Sequence, residues 1–192
     1  MAEREAAARE YARAHPGVPL LWATDVPVPG VGRVWHELHE MAPETGLVPI
    51  TFSWEFAGLA PGSDEPLSDA ALRMMRPARL GLVAASRPSD VLSLTGFSGF
   101  TNRFRTPAEF TAVLRTWEER FGAVLFEVGF ADVRVLVTRP PRTRRAAEFV
   151  AAEIRAICDE FWPIERPGIA LSSIGEIAGY VKDAPFWGLW WD

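Results

Sequence analysis

Residues Trp117–Pro141 read WEERFGAVLFEVGFADVRVLVTRPP. The run holds the end of a helix, a strand, a short turn, a second strand and a double-proline stop. Val, Leu and Phe dominate Ala123–Phe130 and Val133–Thr138, with Ala131-Asp132 between them. That pattern predicts two antiparallel strands joined by a tight hairpin. Val133, Val135 and Val137 alternate with Arg134, Leu136 and Thr138, so one face is apolar and the other mixed, as in a half-covered antiparallel sheet. Pro140-Pro141 cannot donate to a ladder and must end the strand.

A helix leads into this run. Thr106-Pro107-Ala108-Glu109 has the form of a capping box with Pro at the first helical position. Phe110, Val113, Leu114, Trp117 and Phe121 follow on one stripe. Gly122 stands where a left-handed cap is wanted. Past the run, Thr143 caps a helix expected to end near Phe161, with Ala147, Val150, Ile154, Ile157, Cys158 and Phe161 on its buried stripe. Ser173 to Glu176 repeats the capping-box form. Ile174, Ile177, Ala178 and Val181 follow on one face. The closing FWGLWWD, apolar on both alternations, predicts a strand covered on both faces.

Upstream, an alanine-rich helix is predicted over Ala2–His15, a strand over Pro19–Thr24 and a short helix over Arg33–Met41. Gly46–Trp54 reads as a strand that Pro49 marks for an edge or a bulge. Glu55–Pro66 is a loop by composition, followed by a short helix over Asp69–Met75. Arg79–Ala84 is a strand candidate, and Ser89 is a candidate cap for Asp90–Thr95. The order is too irregular for repeated βαβ units. The expectation is one α+β domain over residues 1–192, a mainly antiparallel sheet with helices packed mostly on one face.

The chain has 192 residues, a net charge of −5 and one cysteine. The charge argues against binding a nucleic-acid backbone. A lone cysteine allows no internal disulfide and points to the cytoplasm. No segment is long and apolar enough to span a membrane, and the charged N-terminus is no signal peptide.

Residues Leu80–Asp192 resemble an uncharacterised bacterial family, domain of unknown function four-two-five-three. The likeness rests on LGLVAASRPSDVLSLTGFSG from Leu80, VLRTWEERFGA from Val113, RPP at Arg139 with AAE at Ala151, and the terminal WGLWWD. Residues 1–79 then form an extension packed on the same core. The resemblance implies a histidine directly after the AAE and a Cys-Pro-Asp beyond it. Here Ile154 and Cys158-Asp159-Glu160 stand in those places. The resemblance implies a domain and no reaction.

His36, His39 and Glu40 share one helix face at i, i+3 and i+4, a spacing that can hold a metal. A solvated helix face is the plainer reading, and no metal or cofactor is expected. Cys158 falls on an apolar stripe and reads as a small hydrophobe. Glu153, Asp159 and Glu160 lie near Arg155 and read as surface ion pairs. Of the eight tryptophans, Trp117 and the terminal group read as core, and the others could line a binding surface. No nucleophile elbow, phosphate loop or dinucleotide fingerprint occurs. The binding candidates are therefore His36, His39, Glu40, Glu153, Asp159 and Trp54. The expected function is a non-enzymatic binding protein of accessory or immunity type, meeting a basic partner through an acidic, aromatic surface. The alternative is an enzyme with a carboxylate or histidine site in a cleft under residues 55–66.

Overall fold

The computed structural model describes residues 13, 21–52, 78–97, 99–100, 106–158, 160–163 and 169–191. The helices expected at 2–15 and 69–75, the loop 55–66, Trp54 and Asp159 fall outside these residues.

Among the described residues one seven-stranded sheet organises the fold. Its strands are β1 (Leu21–Ala23), β2 (Leu47–Phe52), β3 (Arg79–Ala84), β4 (Ala123–Val128), β5 (Asp132–Val137), β6 (Glu160–Phe161) and β7 (Phe186–Trp190), in the order β1-β3-β2-β4-β5-β7-β6. Every neighbouring pair is antiparallel except β2–β4, which is parallel and, among the described residues, matches Thr51 with Glu127 and Phe52 with Val128. The helices among the described residues are α1 (Val31–Thr45), α2 (Val91–Thr95), α3 (Pro107–Phe121), α4 (Arg144–Ile157) and α5 (Ile174–Val181).

The two sides of the sheet carry separate cores. Val133, Val135, Val137, Trp187 and Leu189 join apolar residues of α2, α3, α4 and α5 in the main core. Leu80, Phe126 and Phe186 join Val31 and Trp35 of α1 in a smaller core on the other side. Helices therefore lie mostly on one face, as the α+β expectation has it, with α1 the exception. The stripe of α3 points as predicted: Phe110, Leu114 and Trp117 are buried, and Phe121 packs against the same core.

Several local expectations change. Thr106 makes no side-chain cap; its backbone carbonyl accepts the Glu109 N–H at 3.2 Å. Ser89 caps nothing. It lies in a 3₁₀ turn, Pro88–Asp90, and donates its hydroxyl to Glu118 Oε2 at 2.8 Å. Helix α4 stops at Ile157, so Cys158 and Phe161 reach the core from an extended segment and from β6. Ile174 is exposed, while Ile177, Ala178 and Val181 are buried. Helix α1 runs past the predicted Met41 with Pro43 in its last turn, and Gly46 caps it at φ 67°. A proline so near the end disturbs few helical hydrogen bonds.

Pro49 lies on neither an edge nor a bulge. β2 is internal, and Pro49 pairs with Leu82 of β3. On the other side β4 joins only at Thr51, beyond the proline, so the missing N–H costs no ladder bond. The Pro49 carbonyl instead accepts the Trp35 indole N–H at 2.9 Å. The bulge lies in β4, where the register shifts between Leu125 and Glu127. Thr51 Oγ1 donates to the carbonyl of Phe126 within it at 2.9 Å.

Candidate functional site

Helix α1 brings His36, His39 and Glu40 to one side, but they serve different neighbours. His36 Nε2 lies 3.5 Å from Glu40, both well exposed. His39 stacks on Trp35 with ring centroids 4.9 Å apart and 6° between the planes. Burial holds the His39 imidazole below its usual pKa, and His36 adds to the shift. Its Nδ1 is buried without a partner among the described residues. Among the described residues no group of three or more His, Cys, Asp or Glu could hold a metal ion.

Glu153 lies on α4, which packs on the opposite side of the sheet from α1. It accepts the Trp117 indole N–H at 3.0 Å and Arg120 Nη1 at 2.7 and 3.0 Å. The carboxylate braces α3 against α4. The structure thus does not bring Glu153 together with the histidines. Ile154, at the position where a histidine was implied, is 0% exposed within the main core. A side chain there meets packed apolar neighbours.

A different set of residues converges on the α1 side of the sheet. Residues directly opposite in a ladder share a face, so the strand register places them. One row runs Thr51, Glu127, Arg134 and Gly188 across β2, β4, β5 and β7. The next runs Asp132, Trp190 and Glu160 across β5, β7 and β6. Arg134 Nη1 pairs with Glu127 Oε1 at 3.0 Å. Trp162 donates its indole N–H to Glu160 Oε2 at 3.1 Å and meets the Trp190 ring edge-on, centroids 5.9 Å apart.

Asp132 is the unusual member. Its carboxylate folds over Gly129, where any Cβ would collide with it. No hydrogen-bond donor among the described residues lies on that carboxylate. Burial pushes its pKa up to about 6, Arg134 opposing and Glu127 adding to the rise. Arg134 is already matched to Glu127, so Asp132 carries the unbalanced negative charge of this floor. Beside it the hairpin tip presents Phe130, 79% exposed.

Sequence reasoning did not select Asp132, Glu127 or Arg134 as site residues. Asp132 read as a turn residue and Glu127 vanished in an apolar run. The available signal was Arg134, a charge alternating with buried valines and therefore on the opposite face.

The model of a Domain of unknown function (DUF4253) matches residues 79–192. The chain belongs to this family. In this DUF4253 protein the match starts at β3 and covers everything downstream, the Asp132 row included. No curated protein and no solved structure matches the chain. No helix among the described residues is long and apolar enough to cross a membrane.

Proposed function

We propose that this DUF4253 protein is a non-enzymatic binding protein, of accessory or immunity type, that receives a basic group of a protein partner on the face around Asp132. The observation that carries the reading is the Asp132 carboxylate, half-buried beside Trp190 with no donor upon it among the described residues. A carboxylate so placed gains from an incoming cation what burial took from it in hydration. Trp190 supplies a ring face that attracts the same cation, and Glu160 stands on its other side. The exposed Phe130 extends the surface with an aromatic anchor of the kind that dominates interfaces. The net charge of −5 favours a basic partner over a nucleic acid. The lone cysteine supports a cytoplasmic location, and the likeness to a bacterial family supports a bacterial source.

The test is calorimetric titration with an arginine-rich and a glutamate-rich peptide at neutral pH. The arginine-rich peptide binds, and Asp132→Asn weakens it at least tenfold, about 1.4 kcal/mol. Equal affinity for both peptides, or no loss in the variant, sinks the reading.

A second reading is catalytic. Glu127, held by Arg134, and Asp132, raised to about 6, are two carboxylates in unlike environments, the arrangement that divides acid and base roles. Turnover of a supplied compound, abolished in a folded Asp132→Asn variant, would move the assignment there. The cleft first expected under residues 55–66 lies outside the described residues.

A further inference from the structure

An open cleft of about 700 Å³ lies between the end of β3, helix α2 and the first turns of α3. It is on the opposite side of the sheet from Asp132 and independent of it. That volume is in the range of small-molecule sites. Its walls are low: Ala84 and Ala85 on one side, Ala108 and Ala112 on the other. Two polar pairs stand among them.

The first pair is Asp90 and Arg115. Arg115 Nε and Nη2 both donate to Asp90 Oδ1, at 3.0 and 2.7 Å. Arg115 Nη1 and Asp90 Oδ2 have no partner among the described residues. The pair is neutral as a whole yet offers one donor edge beside one acceptor edge. The second pair is Ser93 and Thr111, whose hydroxyl oxygens are 2.7 Å apart. One hydroxyl donates to the other, so one proton remains to donate elsewhere. Thr111 is only 5% exposed and Ser93 half-buried, and either hydroxyl can be the one that keeps the free proton. A donor, an acceptor and a hydroxyl set between alanine walls select against ions. They match a flat group that carries a carbonyl beside an N–H.

We propose that this cleft binds a small uncharged ligand presenting an amide edge, its carbonyl on Arg115 and its N–H on Asp90. The apolar part of the ligand lies against the alanines. A ligand with a full negative charge must compete with Asp90, and one with a full positive charge with Arg115.

The experiment uses the full chain and nuclear magnetic resonance, with nicotinamide and uracil as neutral probes and benzoate and benzylamine as charged ones. At millimolar concentrations a neutral probe shifts the backbone amides of Ser93, Thr111 and Arg115, and the charged probes do not. Ala112 is exposed on α3, so Ala112→Phe blocks the cleft without disturbing a core. It weakens binding at least tenfold while the melting temperature stays near that of the parent. Asp90→Asn, which changes the acceptor edge but not the size, weakens it as well. The proposal is overturned if neither neutral probe shifts those amides in the unaltered protein. It is equally overturned if Ala112→Phe binds as tightly, or if benzoate or benzylamine binds as well as nicotinamide.

Discussion

Arg134 and Glu127 meet at 3.0 Å inside the sheet's second core, with 13% and 7% of their side chains exposed. They are directly opposed on β5 and β4. Across the next ladder the partner of Arg134 is Gly188, which adds no side chain beside the guanidinium. Removing Glu127 takes away the close partner of Arg134 and leaves, among the described residues, only the Asp132 carboxylate to act on it through space. Glu127→Gln is expected to destabilise the protein by about 3–5 kcal/mol, while Glu127→Leu with Arg134→Met together costs far less. Urea unfolding midpoints of the two variants check this, and equal losses in the single and the double variant would refute it.

Asp132 gives a pH dependence of definite sign. Its folded-state pKa, about 6, lies above the ordinary 3.8, so the folded protein takes up this proton before the unfolded chain does. The group therefore weakens the fold above pH 6, and the penalty fades as pH falls from about 6 towards 4. Asp132→Asn is expected to be more stable than the parent at neutral pH by about 1–3 kcal/mol. The difference should close near pH 4. Thermal melts across that interval decide it, and a gap that widens on acidification contradicts the assignment.

Cys158 is 1% exposed, and its thiol donates towards the Glu160 and Trp190 carbonyls at 2.6 and 2.9 Å. A structural cysteine so buried is out of a reagent's reach. A thiol reagent should label it only after denaturation. Fast labelling of the native chain at neutral pH is the contrary result.

The C-terminal strand is structural. β7 is hydrogen-bonded to β5 on one side and β6 on the other. Trp187 and Leu189 are fully buried, and Trp191 nearly so. Trp191 also donates its indole N–H to the Ile157 carbonyl at 2.7 Å. Trp187→Ala should cost about 3–5 kcal/mol, and deletion from Trp187 onward should leave the chain unfolded or insoluble. A deletion variant that melts within a degree or two of the parent would show that the tail is dispensable.

How much of this was legible in the sequence varies by element. The helix–strand–hairpin–strand run could be read because period and punctuation agree there: a 3.6-residue stripe, Gly122 in the left-handed region, then strict alternation. The Ser173 capping box forms with both reciprocal bonds. Ser89 was misread because its hydroxyl finds Glu118, 29 residues away, a tertiary partner that no local rule supplies. Pro49 misled for a related reason. Whether a proline harms a strand depends on where the neighbouring strand begins to pair. The closing strand was legible as a covered strand, but its neighbour was not: β7 lies beside β5, and Gly188 pairs with Arg134. The Asp132 site was hidden because its members come from five strands, and only the register sets them in two rows.

Strand β2 has one more consequence. The family match begins at β3, yet β3 does not pair with β4; β2 lies between them. At ordinary strand spacing β3 and β4 are roughly 10 Å apart. The matched region taken alone is thus a sheet with one stave missing, its first strand cut off from the other four. In this chain a segment from upstream of the matched region fills that slot. Here Leu47–Phe52 is the keystone, fastened to the larger half of the sheet, among the described residues, by Thr51 and Phe52.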